Sequence, residues 1–341
     1  MKSASSFIIK GFGYPLSYTF CLHIIFMIKL SQIFDAQKRV RKWVRRTPME
    51  KSVGLSQTSR GEVWLKLENY QITGSFKIRG AANKILSLSK EELEKGVITS
   101  SSGNHAQGVG YVSNNLGIKA TVVVPENTPS VKIEAIEKYG VDLIVHGDEY
   151  MDAERLARKM EKEKGMTFIS PYNDLDLIRG QGTLGLEMLE DHPDLDVVLV
   201  PVGGGGLASG VAGVFKDATD TRIIGVQSVA SPVMYECIRK GEIHDLPLSR
   251  SYAEGLHGGL EPASVSFDIC REKIDEWIIL EEEEILDAIR FMLHEHHMLV
   301  EGAGAVGVGA IMSKPRRFEG KKAGVVISGG NLSMEILKLV I

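Results

Sequence analysis

Cysteine is scarce in this 341-residue chain. Cys21, Cys237 and Cys270 are its whole complement. They are far apart and odd in number, so they offer neither a disulfide framework nor metal-ligand spacing, a usage that fits a reducing cytoplasm. An excess of one charge is also missing. The 40 Lys and Arg stand against 44 Asp and Glu, with basic residues scattered, which gives no support for nucleic-acid binding. No internal repeat or low-complexity segment stands out. The most apolar stretch, residues 7–30, is interrupted by Lys10, Pro15, His23 and Lys29. A membrane-spanning helix wants about 20 nearly uninterrupted apolar residues, and no small-residue cleavage site marks a signal peptide. No membrane partner is therefore expected. Residues 1–26 read as a disordered or non-native extension. The amphipathic run Ile28-Lys29-Leu30-Ser31-Gln32-Ile33 makes Met27 the expected functional start.

Apolar residues are present in quantity: 43% are hydrophobic, enough to bury a substantial core. Strand-like runs at 63–67, 97–99, 120–124, 141–145, 167–169, 197–202, 222–226, 277–280 and 323–327 alternate with helix-like ones. The helices are read at 33–44, 78–88, 105–115, 130–138, 152–164, 181–190, 207–215, 232–240, 282–297 and 305–312. In 33–44 the residues Ile33, Ala36, Val40 and Val44 share a face; in 282–297 Ile285, Ala288, Ile289, Met292 and Leu293 do. Alternation of this kind predicts parallel sheet covered by helices. So many strands exceed one comfortable sheet. The expected architecture is α/β, with two open, mainly parallel twisted sheet domains carrying helices on both faces. A large domain takes residues 27–90 and 174–341, and a small domain takes 91–173. Ligands of such folds bind beyond the carboxyl ends of strands.

Glycine is concentrated at such ends. Gly203-Gly204-Gly205-Gly206-Leu207 lies between a strand and a helix. Its exposed N–H groups and the helix's positive end make a phosphate cradle without side-chain charge. A merely flexible turn would not need four glycines, whose ordering costs entropy. Ser101-Ser102-Gly103-Asn104-His105 can grip a carboxylate, and Asn104 can bond a phenolic oxygen; a plain helix cap explains the same residue types equally well. Gly302-Ala303-Gly304-Ala305-Val306-Gly307 matches the dinucleotide fingerprint, but a helix precedes it, so close helix packing is preferred. His294-Glu295-His296-His297 approaches a zinc-protease helix, but Met298 occupies the position of the required second histidine, leaving a solvated helix end. Lys77, in Gly74-Ser75-Phe76-Lys77-Ile78-Arg79-Gly80, is by itself an ordinary lysine. Beside turns suited to a phosphate and a carboxylate it reads as a Schiff-base lysine, activated by a pKa that burial lowers.

These motifs, with Ser328-Gly329-Gly330-Asn331, resemble in identity and order the four signatures of fold-type II pyridoxal-phosphate enzymes. The nearest group is the threonine/serine dehydratase and serine racemase family, and the resemblance runs over about residues 30–341. Gly180-Gln181-Gly182-Thr183 and Glu301-Gly302-Ala303-Gly304 are similar as well. The resemblance implies a tryptophan synthase β-like fold and pyridoxal 5'-phosphate as cofactor. It implies that Lys77 forms the internal aldimine and removes the Cα proton, and that Phe76 lies beside the ring. Asn104 would bond the ring hydroxyl, and Gly203, Gly204, Gly205, Gly206 and Leu207 would hold the phosphate. Ser328 would face the pyridine nitrogen. Ser101, Ser102, Gly103, Asn104 and His105 would bind the substrate carboxylate, and Ser102 matches the racemases' opposite-face base. A hydroxyl at the ring nitrogen makes a weaker electron sink than a carboxylate partner would, favouring prompt loss of a β-hydroxyl.

The expected activity is β-elimination from a 3-hydroxy amino acid, L-threonine first and L-serine also, to a 2-oxo acid and ammonia. The partner is a small amino-acid substrate, in a cytoplasmic homodimer or homotetramer. A serine racemase, or a dehydratase of hydroxyaspartate or a hydroxyectoine-derived acid, is the alternative. β-Replacement ranks low, because His105 stands where cysteine synthases place Thr. A cofactor-lacking binding protein is the rival from another class. Metal-dependent members carry an acidic cluster where this chain has Gln227-Ser228-Val229-Ala230-Ser231-Pro232-Val233, so no metal is expected. Arg179 replaces a small residue of the family, and the stretch after Ser328 leaves no room for a regulatory domain.

Overall fold

The structure, a computed structural model, describes residues 28–341. The expectations for residues 1–26 and for Met27 lie outside the described residues. Ten strands form two sheets. In chain order they are β1 (Met49–Lys51), β2 (Glu62–Leu67), β3 (Val97–Ser100), β4 (Ala120–Val124), β5 (Asp142–Val145), β6 (Thr167–Phe168), β7 (Val197–Pro201), β8 (Arg222–Ser228), β9 (Glu276–Leu280) and β10 (Lys322–Ile327). The six-stranded sheet runs β1-β2-β10-β7-β8-β9 and the four-stranded sheet β5-β4-β3-β6. Every pairing is parallel except β1 with β2, which is antiparallel at the edge.

The sequence of β7 shows why helices cover both faces. Its five residues are all buried, and side chains alternate across a strand. Val197 and Leu199 join a core with Ala305, Val308 and Ile311 of the helix Gly302–Ser313. Val198 and Val200 join another with Val211 and Phe215 of the helix Gly206–Ala218. The small sheet repeats the arrangement. Val123 packs with Ala153 and Ala157 of the helix Tyr150–Lys164, whereas Val122 and Val124 pack with Ala106 and Ile136.

The helix expected at 33–44 buries Ile33, Ala36 and Val40 but spans Leu30–Val40. Val44 continues the apolar period because, from the turn beyond, it still packs on the core. The helix expected at 181–190 starts at Leu175, where the Asp174 side chain accepts from Leu177 N at 2.9 Å. The short elements Val53–Ser59, Lys90–Lys95, Val265–Lys273, Met334–Val340 and β1 have no counterpart in the sequence reading. In Lys90–Lys95 no residue is fully buried and only Leu93 packs on the core, so it has no apolar period to read. The Gly302 stretch does serve close packing: a Cβ at Gly307 would lie 2.6 Å from Val325 Cγ1. His294 and His297 are exposed, while His296 hydrogen-bonds Ser52 Oγ at 2.8 Å. Among the described residues, no helix is long and apolar enough to cross a membrane. Nor does any group of three or more His, Cys, Asp or Glu stand ready to hold a metal.

Candidate active site

The glycine- and serine-rich turns follow the carboxyl ends of β3, β7 and β10, and Lys77 opens the helix Lys77–Leu86 after β2. Parallel pairing brings these ends to one side of each sheet. The Lys77 and Ser328 stretches are joined directly. Ser75 and Gly329 form an antiparallel bridge, Phe76 N donates to Ser328 O at 3.0 Å, and Gly330 N donates to Gly74 O at 2.9 Å. Gly74 is required there: its φ is +72°, and a Cβ would stand 2.6 Å from Asn331 Oδ1.

Asn331 carries the connection to the third motif. Its Nδ2 donates to Thr73 O at 3.0 Å and to Asn104 Oδ1 at 2.6 Å. Asn104 Nδ2 in turn donates to Glu301 Oε1 at 2.8 Å and Oε2 at 3.0 Å. Glu301 N donates to Gly329 O at 3.1 Å, closing the ring of motifs. Lys77 Nζ donates to Pro171 O at 3.0 Å and lies 5.2 Å from the centre of the Phe76 ring. Next to Pro171, the Tyr172 ring packs on the glycine turn, so closely that a Cβ at Gly204 would come within 2.4 Å of it. The Pro171-Tyr172 segment therefore touches both Lys77 and the glycine turn.

That turn presents its amides. Gly205 takes φ +85°, and the first helical bond runs from Ser209 N to Gly205 O at 2.8 Å. The earlier amides of the turn therefore lack intrahelical acceptors. Ser266 Oγ donates to Gly204 O at 2.5 Å. Because C=O and N–H of a trans peptide point opposite ways, this turns the Gly205 N–H away from Ser266.

The Ser101–His105 turn is resolved against plain capping. Gly103 is the N-cap of the helix Asn104–Leu116 and no side chain caps it. Ser101 Oγ accepts from Gly103 N at 3.3 Å, Ser102 is half-buried, and Asn104 is turned to Glu301 and Asn331. His105 is the exception. Its ring is buried and Nε2 bonds Ile169 O at 2.9 Å, so only its backbone can face a ligand at the turn. Ser328 is buried at the end of β10.

The electrostatics suit a reactive amine. Burial lowers the Lys77 pKa to about 8, against the partial opposition of Glu301. Burial pulls His105 down to about 3, helped by the Lys77 charge, so its ring is neutral. Glu301 is pushed up from the usual carboxylate range by burial, with Asn104 and Lys77 opposing and Glu254 adding to the rise.

Sequence reasoning missed the support beneath Lys77. Arg79 is fully buried. It donates to Glu68 at 2.8 Å, to Glu187 Oε1 at 2.7 Å and to Thr183 Oγ1 at 3.2 Å. Lys66, also fully buried, meets Glu187 Oε2 at 2.7 Å. The readable signal was a lysine inside an apolar strand, Trp64-Leu65-Lys66-Leu67. Arg179 pairs with Asp176 at 2.7 Å on its own helix. A separate open groove of about 460 Å³, lined by Arg46, Thr47, Pro48, Met49, Asp191 and His192, shares none of these site residues. Its Arg46 is committed to Asp191 at 2.6 Å.

The residues fit pyridoxal phosphate on structural grounds. Besides the amide-lined glycine turn and the lysine, the buried hydroxyls of Thr73, Ser75 and Ser100 find no protein partner, and buried polar groups are normally satisfied. A lysine of lowered pKa among such groups defines a cofactor-dependent enzyme of the pyridoxal type. The family model described as "Pyridoxal-phosphate dependent enzyme" matches residues 40–329, and the chain belongs to this family. It is 42% identical over 316 residues to an L-threonine ammonia-lyase of Thermotoga maritima, covering 92% of this chain and 78% of that protein. It is 39% identical over 321 residues to a catabolic L-threonine dehydratase of Staphylococcus aureus, covering 93% and 92%. Among solved structures, maize serine racemase superposes with a TM-score of 0.86 at 33% identity, covering 92% of this chain and 97% of that one.

Proposed function

We propose that this enzyme deaminates a 3-hydroxy amino acid, L-threonine foremost and L-serine also: the β-hydroxyl leaves as water, and a water taken up when the resulting imine hydrolyses releases ammonia and leaves the 2-oxo acid. The observation that carries the reading is Lys77. Its amine, held near neutral pKa, stands beside the Pro171-Tyr172 segment that also covers the glycine turn. The relatives named for threonine point the same way.

Pyridoxal phosphate, when bound, supplies the electron sink that lets the Cα–H and Cβ–O bonds break. Lys77 would hold the group covalently and carry the Cα proton. Gly203, Gly204, Gly205, Gly206 and Leu207 would bind its phosphate through backbone amides. Asn104 would hold the ring hydroxyl, Phe76 would flank the ring, and Ser328 would face its nitrogen. Ser101, Ser102, Gly103 and Asn104, with the His105 amide, would orient the substrate carboxylate. This reading assigns residues 27–90 and 174–341 to the large domain, 91–173 to the small one, and the whole to a cytoplasmic homodimer or homotetramer. Sedimentation in solution tests the assembly.

Lys77→Ala is the direct test. It should abolish both 2-oxo acid formation from L-threonine and the visible absorbance of bound cofactor. Retained turnover overturns the reading. Serine racemization is the second reading, favoured by the half-buried, uncapped Ser102 and by the likeness to maize serine racemase. D-serine formed from L-serine without ammonia would establish it.

A further inference from the structure

Glu301 is a carboxylate that the expected chemistry leaves without a task. It opens the helix Gly302–Ser313 as its N-cap residue, yet its side chain makes no cap hydrogen bond. Instead both oxygens face Asn104 Nδ2, at 2.8 and 3.0 Å. The amide orientations along this relay are fixed from both ends by chemistry. A main-chain carbonyl only accepts, so Thr73 O dictates that Asn331 presents its NH2 group. Asn331 then donates to Asn104 Oδ1, and the carboxylate at the far end requires the Asn104 NH2 group. Remove Glu301 and the Asn104 Nδ2 loses its carboxylate acceptor, leaving the amide held from the other side through the Asn331 bond to Oδ1.

The backbone shows how Glu301 is delivered to this spot. A Cβ at Gly302 would fall 2.0 Å from Tyr252 O, and one at Gly304 would fall 2.7 Å from Gly329 O. The helix start is pressed between the loop at Tyr252 and the turn after Ser328. Gly329 is equally tight on the other side, where a Cβ would meet Glu301 Oε1 at 2.5 Å.

We propose that Glu301 is a positioning residue for the cofactor: as the ionised acceptor it holds the Asn104 amide so that an N–H remains directed to the cofactor's ring hydroxyl. This rests on the assignment of Asn104 to that hydroxyl. The charged groups that face Glu301 are Lys77, from the helix Lys77–Leu86, and Glu254, from the turn Glu254–Leu256. Glu254 is itself paired with Lys132 at 2.7 Å. Lys77 favours the ionised form and Glu254 disfavours it.

The test is pyridoxal phosphate affinity of the full-length apoenzyme, read by its visible absorbance across pH. Glu301→Leu removes the acceptor and should weaken binding about tenfold, the scale of a lost charge-assisted hydrogen bond. In an Asn104→Ala background the same change should cost less than about twofold, because the group being positioned is gone. Glu301→Gln keeps a neutral acceptor and should lose about threefold at neutral pH. Its gap to wild type should close as acid protonates Glu301. An undiminished loss in the Asn104→Ala background, or a Gln-to-wild-type gap that does not change with pH, overturns the proposal. Should Glu301→Leu fail to fold, the Gln comparison decides alone. Wild-type protein that binds no pyridoxal phosphate would sink the functional reading as well. Normal wild-type binding with indifferent Glu301 variants sinks only this inference.

Discussion

Lys77 Nζ donates a hydrogen bond to the main-chain carbonyl of Pro171 at 3.0 Å. The bond joins the first residue of the helix Lys77–Leu86 to the loop after β6, and so couples the two sheets at the reactive amine. A carbonyl accepts from either the ammonium or the neutral amine, so it orients Nζ without adding the full charge a carboxylate partner would.

The first prediction concerns that amine. Burial lowers the Lys77 pKa from 10.5 to about 8, and only the unprotonated amine attacks a carbonyl carbon. The rate at which apoenzyme gains visible absorbance with pyridoxal phosphate should rise with pH and level off above about 8. Stopped-flow absorbance across pH 6 to 10 checks this. A rate still climbing steeply toward pH 10 would show an ordinary exposed lysine.

Arg79 supplies the second. Its guanidinium bridges Glu68 from the turn after β2 and Glu187 from the helix Leu175–Asp191. Arg79→Leu leaves two buried carboxylates with Lys66 as their remaining cation, and breaking one side of a buried network costs about 3–5 kcal/mol. The urea midpoint should fall accordingly. The pH sign follows from Glu68. Burial alone would raise its pKa, but Arg79, Thr47 and Lys66 outweigh that and hold it below 4.5. Its contribution is therefore complete above that value and lost as pH falls through the lower folded-state pKa. Wild type should lose stability on acidification below about 4.5, and Arg79→Leu should lose less over the same interval.

Gly74→Ala is the third. The residue combines φ +72° with a 2.6 Å approach from its Cβ position to Asn331 Oδ1. Backbone strain of this kind costs about 1–3 kcal/mol. Asn331, which links Thr73 to Asn104, must shift. A moderate fall in thermal midpoint together with a disproportionate loss of cofactor affinity is expected. If the midpoint falls while affinity stays intact, the Asn331 relay does not serve the site.

Much of the site was legible because its chemistry needs small residues at strand ends. Gly203 to Gly206, Ser328 and Lys77 all stand out against apolar runs, and period-two and period-3.6 patterns mark the strands and helices between them. What stayed hidden depends on contacts between distant segments. Nothing in Ser101-Ser102-Gly103-Asn104-His105 shows that the His105 ring turns to Ile169 while Asn104 turns to Glu301. The Lys66–Glu187 and Arg79–Glu187 pairs required a fold before charges so far apart in sequence could be matched. The short helix Lys90–Lys95 was missed for the opposite reason: only Leu93 of its residues packs on the core, and none is fully buried.

Ser102 gives the last prediction, and it separates the two activities. Elimination needs proton removal from one face of Cα, the task proposed for Lys77. Racemization needs a second group on the opposite face, able to give a proton there. Ser102 follows the end of β3, is half-buried, and caps no helix, so its hydroxyl is not consumed by the helix Asn104–Leu116. Ser102→Ala should therefore remove any D-serine formation from L-serine while leaving 2-oxobutanoate formation from L-threonine within about tenfold of wild type, a loss below the usual range for deleting a general acid–base group. Chiral chromatography of the products, run beside a ketoacid assay, reads both at once. Equal loss of both products would mean that Ser102 serves only the carboxylate common to both reactions. Persistent D-serine formation would place the second base on another residue.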